Sequence, residues 1–433
     1  MSESEKRPSR RALKMASMTA GVTGSYLGYF LQSAFLGGEK RKEKLKTTHA
    51  RAGRRMTEEF RELRGPAMKL GQLLSVQTGV LPEETLAELA ELQYRAPGMH
   101  PSLVRAQFKA SMGAPPETFF RSFEESPFAA ASLGQVHRAV TREGRSVAVK
   151  IQYPGIREAI RSDFTWFRAF ATASQLKRYM RGDLLDEIQE QITIETDYDR
   201  ERRNIEGLGR SVESLGYVTV PEVFARQSSR SVLTLSVVEG EHIDKFLADR
   251  PSQKMRNLVG ERLIELFYYQ VLELGAFHAD PHWGNYLFRS DGTIGLVDWG
   301  CVKYLSAEFV ENLRAVFLFP GDRTSAEFRR LLDERYHLKN QKLDARTQKA
   351  LVKFAKEFYG RVYPPEPERD EERYDFGNPE ILKLYIRESQ GIARAKGTLP
   401  EYIFLARAES GLYSMLHHLK ARCRTSAIVR KYL

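Results

Sequence analysis

Asp280 and Asn285, five positions apart in the stretch FHADPHWGNYLF, are followed thirteen residues after Asn285 by Asp298 in GLVDWG. This spacing restricts the fold more than any other feature, because a hard cation wants oxygen ligands and Asn and Asp supply them. Taken alone, the stretch admits two other readings. His278 and His282 flank Asp280 like a zinc pair, but residues four apart share a face only on a helix, and Pro281 with Gly284 oppose a helix there. A polar loop capped by one aspartate is the plainer alternative.

The Asp-x-x-x-x-Asn separation is that of a protein-kinase catalytic loop, where the aspartate faces the acceptor hydroxyl and the asparagine binds a metal ion. Asp298 then stands at the place of the D-F-G aspartate, with Trp299 for the phenylalanine. Upstream, SVAVKIQY matches the V-A-I-K strand and presents Lys150 to the α and β phosphates. That lysine requires a glutamate from a following helix. The run IETDYDRERRN offers Glu195, Asp197 and Glu201, and Asp197 and Glu201 share a helix face. Glu201 is the chosen partner; an exposed, salt-bridged helix is the alternative. A literal D-F-G at Asp375, Phe376 and Gly377 is a decoy, lying about 90 residues past the loop in a proline-rich charged stretch that reads as surface loop. The expected G-x-G-x-x-G before VAVK is missing. Ala129, Ala130, Ala131 and Ser132 stand there, and their side chains restrict how backbone N–H groups wrap phosphates.

The net charge of +11 suits an anionic partner, yet no run interleaves basic and aromatic residues as nucleic-acid grooves do, so nucleic acid is not expected. Two isolated cysteines fit a reducing compartment. Residues 1–14 form a basic tail, and 15–38 carry no formal charge but are only about half apolar. A marginal membrane span, an interfacial helix and a loop or soluble helix all remain open for that segment. Gly24 and Gly28 form a GxxxG step there that would let two helices approach. From Lys40 to about Glu125 the apolar spacing is helical, with Pro82, Glu83 and Glu84 as a helix start. After Pro127 strands are expected at SLGQVHRAV and SVAVKIQY, a helical stretch from Ile156 to about Leu215, then strand-like YVTVPEVF and SVLTLSVVEG.

The sequence resembles the UbiB (AarF) family of atypical kinase-like proteins over about residues 60–430. MKLGQ with Lys69, Gly71 and Gln72 is similar to its KxGQ element, AAASLGQVH to its alanine-rich loop, ETDYDRE to its acidic helix, and HADPHWGN with VDWG to its catalytic and metal elements. The resemblance implies an α+β, protein-kinase-like two-lobed fold with a helical KxGQ extension over the active site at 40–125, an N-lobe at 126–239 and a helical C-lobe at 240–433. It implies Gln72 and Lys69 of the extension reaching into the pocket, with Lys69 facing Glu195 and Asp197. ATP would lie against Ala129 to Ser132, Lys150 and the hinge Leu235, Ser236, Val237 and Val238; Asp280, Lys150 and Glu201 would be the catalytic set, and Asn285 and Asp298 would hold Mg2+. Ser236 stands where the family often carries an acidic residue, so hinge contacts rest on backbone groups.

By that resemblance the protein is an Mg-dependent ATPase or unconventional kinase supporting ubiquinone or isoprenoid-lipid metabolism at a membrane, on the cytoplasmic face or the mitochondrial inner membrane. Its expected partners are a membrane lipid or quinone precursor, quinone-biosynthesis proteins and a second copy through Gly24 and Gly28. A catalytically silent, nucleotide-switched lipid-binding or scaffolding module is the alternative. A small-molecule kinase of the aminoglycoside or choline type is a weaker one, opposed by the KxGQ extension.

Overall fold

The computed structural model describes residues 10–33, 36–63, 65–75, 81–93, 99–131, 133–173, 182–280, 282–335, 345–393 and 400–433. Two compact units emerge, one of Met1–Asp199 with Phe224–Ser236, the other of Arg200–Val223 with Val237–Leu433.

The first unit opens with helices α1 (Arg10–Ser33), α2 (Gly38–Leu63), α3 (Gly65–Ser75) and α4 (Glu83–Ala90). Met15, Met18 and Val22 of α1 are buried in one core with Ala52 and Met56 of α2. Gly21 lets the Arg55 side chain lie against α1, and the flexible guanidinium is the group that would have to move for a Cβ there. Among the described residues no helix is long and apolar enough to cross a membrane. Glu83 and Glu84 occupy the first turn of α4, where acids suit the helix dipole.

Next come α5 (Pro101–Met112) and α6 (Pro116–Phe119), then strands β1 (Phe120–Phe123), β2 (Ala129–Ala131), β3 (Gly134–Thr141) and β4 (Ser146–Gln152). The helical reading to Glu125 is corrected here, because Phe120 and Phe123 pair with β3 while Phe120 is buried against Phe108 of α5. Burial on a sheet outweighed local helical spacing. Helices α7 (Ile156–Ala173) and α8 (Gly182–Glu195) pack with the first four helices. The chain enters the second unit within α9 (Tyr198–Asn204), forms α10 (Arg210–Glu213) and β5 (Val218–Thr219) there, and returns for β6 (Val232–Ser236). The sheet runs β1-β3-β4-β6, antiparallel throughout, with β2 on β3. Only two residues of YVTVPEVF form a strand; Pro221 lacks the N–H to extend it.

The second unit continues through α11 (Ile243–Ala248) and α12 (Gln253–Tyr268) to β7 (Ala276–His278), β8 (Tyr286–Phe288), β9 (Ile294–Leu296) and β10 (Val302–Tyr304). Strand β7 pairs with β10, and β9 lies between β5 and β8. Then follow α13 (Ala307–Phe317), α14 (Ala326–Arg335), α15 (Ala345–Phe354), α16 (Gly360–Val362), β11 (Tyr374–Asp375), α17 (Pro379–Ala393), α18 (Pro400–Leu419), β12 (Arg422–Cys423) and α19 (Thr425–Arg430). The charged stretch expected as surface loop is anchored: Val362, Tyr363 and Phe376 are buried, and β11 pairs with β12. The decoy D-F-G is therefore a packing element, with Phe376 stacked on Tyr413.

One polar cluster lies deep in this core. Glu409 of α18 accepts hydroxyls from Tyr268 at 3.0 Å, Tyr359 at 2.7 Å and Tyr385 at 3.1 Å. Burial outweighs those three bonds and pushes its carboxyl up to about 7.

Candidate active site

The backbone of Asp298 comes back beside Asn285, which bonds Asp280, because the chain folds back on itself between them. Asn285 immediately precedes β8, Asp298 lies two residues past β9, and Val297 N–H donates to Asn285 O at 3.1 Å. The amide nitrogen of Asn285 donates to Asp280 Oδ2 at 3.1 Å. That bond turns the amide so that its oxygen is the end available to a cation. Asp298 Oδ1 accepts Gly300 N–H at 3.0 Å. Burial, reinforced by the nearby Asp280 charge, pushes the Tyr286 hydroxyl well above its ordinary range.

The two histidines do different work. Buried His278 places Nδ1 3.1 Å from Asp280 O and Nε2 in close hydrogen-bond contact with Asp298 O, so both ring nitrogens face backbone carbonyls. Exposed His282 caps a short 3-10 turn, accepting Gly284 N–H on Nδ1 at 3.0 Å. Neither ring is arranged as a member of a zinc pair. Among the described residues no three His, Cys, Asp or Glu side chains could hold a metal by themselves. An Asn and an Asp next to incoming phosphate oxygens nevertheless fit Mg2+, which takes few protein ligands and shares the substrate's.

In the first unit Lys150 is buried on β4, between Val136 of β3 and Leu233 of β6. Its ammonium lies 5.4 Å from the Tyr198 ring centroid. Lys69 of α3 is 2.8 Å from Glu195 at the end of α8, both nearly sealed from water. Gln72 donates to Leu92 O at 2.8 Å, inside the helical extension. Asp197 is half-buried just before α9. Ala129 to Ala131 form β2, with only the backbone of Ala130 and Ala131 described; Ser132 lies outside the described residues. Gly134 permits the close approach of β3 to β4, since a Cβ there would meet Ile151 O at 2.2 Å. Leu235 and Ser236 end β6, whereas exposed Val237 and half-buried Val238 begin the second unit's return, Val238 close to Gly295.

Glu201, 2% exposed, accepts Trp299 N–H at 3.4 Å within the second unit. Two residues escaped the sequence reading. Asn204, three positions after Glu201 on the same face, donates to Trp299 O at 2.8 Å, and the spacing that singled out Glu201 also pointed to it. Gln270 accepts His278 N–H at 3.1 Å, and no sequence signal marked it.

These sheets, helices and loops define a kinase-like protein. Residues 91–327, more than half of the chain, match the ABC1 atypical kinase-like domain. The chain belongs to this family, also known as UbiB. It is 34% identical over 271 residues to "Protein ACTIVITY OF BC1 COMPLEX KINASE 7, chloroplastic" of Arabidopsis thaliana, across 62% of this chain and 39% of that protein. It is 32% identical over 271 residues to "Atypical kinase COQ8, mitochondrial" of Saccharomyces cerevisiae, across 61% of this chain and 53% of that one. The match thus spans about two fifths to one half of these relatives' length. Among solved structures, a Mycobacterium tuberculosis protein in complex with erythromycin superposes with a TM-score of 0.59 at 25% identity, covering 86% of this chain and 93% of that chain.

Proposed function

We propose that the protein binds ATP with Mg2+ and cleaves or transfers its terminal phosphate at a membrane, in support of ubiquinone or other isoprenoid-lipid metabolism. The convergence of Asp280, Asn285 and Asp298 carries this reading. Asn285 and Asp298 would hold the cation, which when bound neutralises charge on the phosphates. Asp280 accepts the proton of the attacking hydroxyl or orients a water, and Asn285 keeps its carboxylate fixed. Lys150 would orient phosphate. The hinge of Leu235, Ser236, Val237 and Val238 holds the base through backbone groups.

The exposed surface of α1 supports lipid contact. Leu27, Phe30 and Leu31 are exposed near the end of α1, and exposed Lys40, Arg41, Lys42 and Lys46 follow at the start of α2. Apolar tips beside basic residues suit an anionic lipid surface. Gly24 and Gly28 have open space where a Cβ would sit, leaving that face to a second helix. Purified protein should hydrolyse ATP, faster with anionic vesicles than with neutral ones, and Asp298→Asn should abolish turnover. Unchanged turnover in Asp298→Asn refutes the assignment. A nucleotide-switched module without turnover is the second reading, favoured by the buried Lys69–Glu195 pair that commits the extension to α8. Nucleotide binding with no phosphate release under any lipid condition would select it.

A further inference from the structure

We propose that Asn204 is the positioning residue that aims the Asp298 carboxylate, and that Tyr304 is its outer brace. The inference rests on Asp298 being a metal ligand. Two peptide planes follow the Asp298 Cα, and all four of their polar groups are engaged by side chains. Asp298 O meets His278 Nε2, Trp299 N–H donates to Glu201, Trp299 O accepts from Asn204, and Gly300 N–H donates to Asp298 Oδ1. Three of those side chains are buried: His278 is 3%, Glu201 2% and Asn204 2% exposed.

Of the four, Asn204 reaches further along the segment. Its Oδ1 accepts the Tyr304 hydroxyl at 2.9 Å, so one amide ties Trp299 to β10, six residues past Asp298. Arg200, one turn earlier on α9, adds a bond to Val302 O at 3.3 Å. Trp299 itself is fully buried, its indole N–H held by Leu296 O at 3.1 Å. Losing Asn204 would leave a buried carbonyl unpaired and free the plane that sets the direction of Asp298. Tyr304 is the accessible end of this chain of contacts, 61% exposed as a residue while its hydroxyl is tied to a buried amide. Groups that orient a metal ligand without touching the metal typically alter metal affinity about tenfold or more.

The test is the Mg2+ dependence of binding of a fluorescent ATP analogue to the full chain, with cooperative thermal melts as a folding control. Asn204→Ala should raise the Mg2+ midpoint about tenfold and leave metal-free binding unchanged. Tyr304→Phe, an exposed change with little risk to the fold, should raise it about threefold by the loss of one hydrogen bond. Asp298→Asn should lose the Mg2+ dependence. If Asp298→Asn does so while folded Asn204→Ala keeps the wild-type midpoint, the inference falls and the functional reading stands. If metal-free binding weakens as much as metal-loaded binding, Asn204 is merely structural and the inference also falls. If Asp298→Asn binds like wild type, the functional reading fails and takes the inference with it. Should Asn204→Ala not fold, a wild-type midpoint in Tyr304→Phe overturns the proposal.

Discussion

Lys69 and Glu195 form an ion pair of 2.8 Å whose side chains are 8% and 10% exposed. Removing one partner of such a pair strands the other charge in a poorly solvated place, at a cost of about 3–5 kcal/mol. Lys69→Ala should therefore lower the urea midpoint strongly at pH 7. Lys69→Met combined with Glu195→Leu should restore most of the loss, because neither charge is then buried. A single variant within about 1 kcal/mol of wild type would contradict the buried-pair account.

Glu409 gives a pH dependence of definite sign. Its carboxyl is raised from 4.5 to about 7, so the folded state holds a proton that the unfolded chain has released. The stabilisation is complete below about pH 4.5 and is lost as pH rises through about 7. A shift of that size corresponds to about 3 kcal/mol. Urea midpoints should fall between pH 5 and pH 8, and Glu409→Gln, which keeps a neutral group in the tyrosine cage, should flatten that slope. Equal slopes in the two proteins would refute the linkage.

Gly134 lets β3 approach β4 closely, with only 2.2 Å between its Cβ position and Ile151 O. Gly134→Ala should cost about 1–3 kcal/mol by forcing the strands apart. The same movement should disturb the alanine hairpin that pairs Ala131 with Gly134. Thermal melts read the first effect and nucleotide affinity the second. A melt and an affinity both equal to wild type would mean the strands adjust freely.

The site was legible where chemistry dictates spacing. Asp280, Asn285 and Asp298 stood out because phosphate and cation need oxygen ligands, and the fold brings those three together. The strand carrying Lys150 was equally plain, from its β-branched run and the turn before it. Residues acting through backbone atoms were harder to read. The spacing around His278 opposes a zinc ligand without giving it any role in its place, and its partners, two carbonyls eighteen positions apart, leave no mark in composition. Phe120–Phe123 read as helix because its spacing is ambiguous over four residues, and only pairing with β3 decides it. Phe376 and Tyr363 were hidden among prolines and charges, although aromatic side chains in such a stretch are the groups that anchor it.

Binding of a magnesium-nucleotide complex is proposed to depend on Lys150, Asp280, Asn285 and Asp298. Titration of a fluorescent ATP analogue, with Mg2+ and with chelator, measures this on wild type, Lys150→Ala, Asn285→Ala and Asp298→Asn. Tight binding is expected only with Mg2+ in wild type, with loss of the Mg2+ effect in Asn285→Ala and Asp298→Asn and weak binding under both conditions in Lys150→Ala. Identical binding curves with Mg2+ and with chelator in wild type, unchanged by all three substitutions, would contradict it.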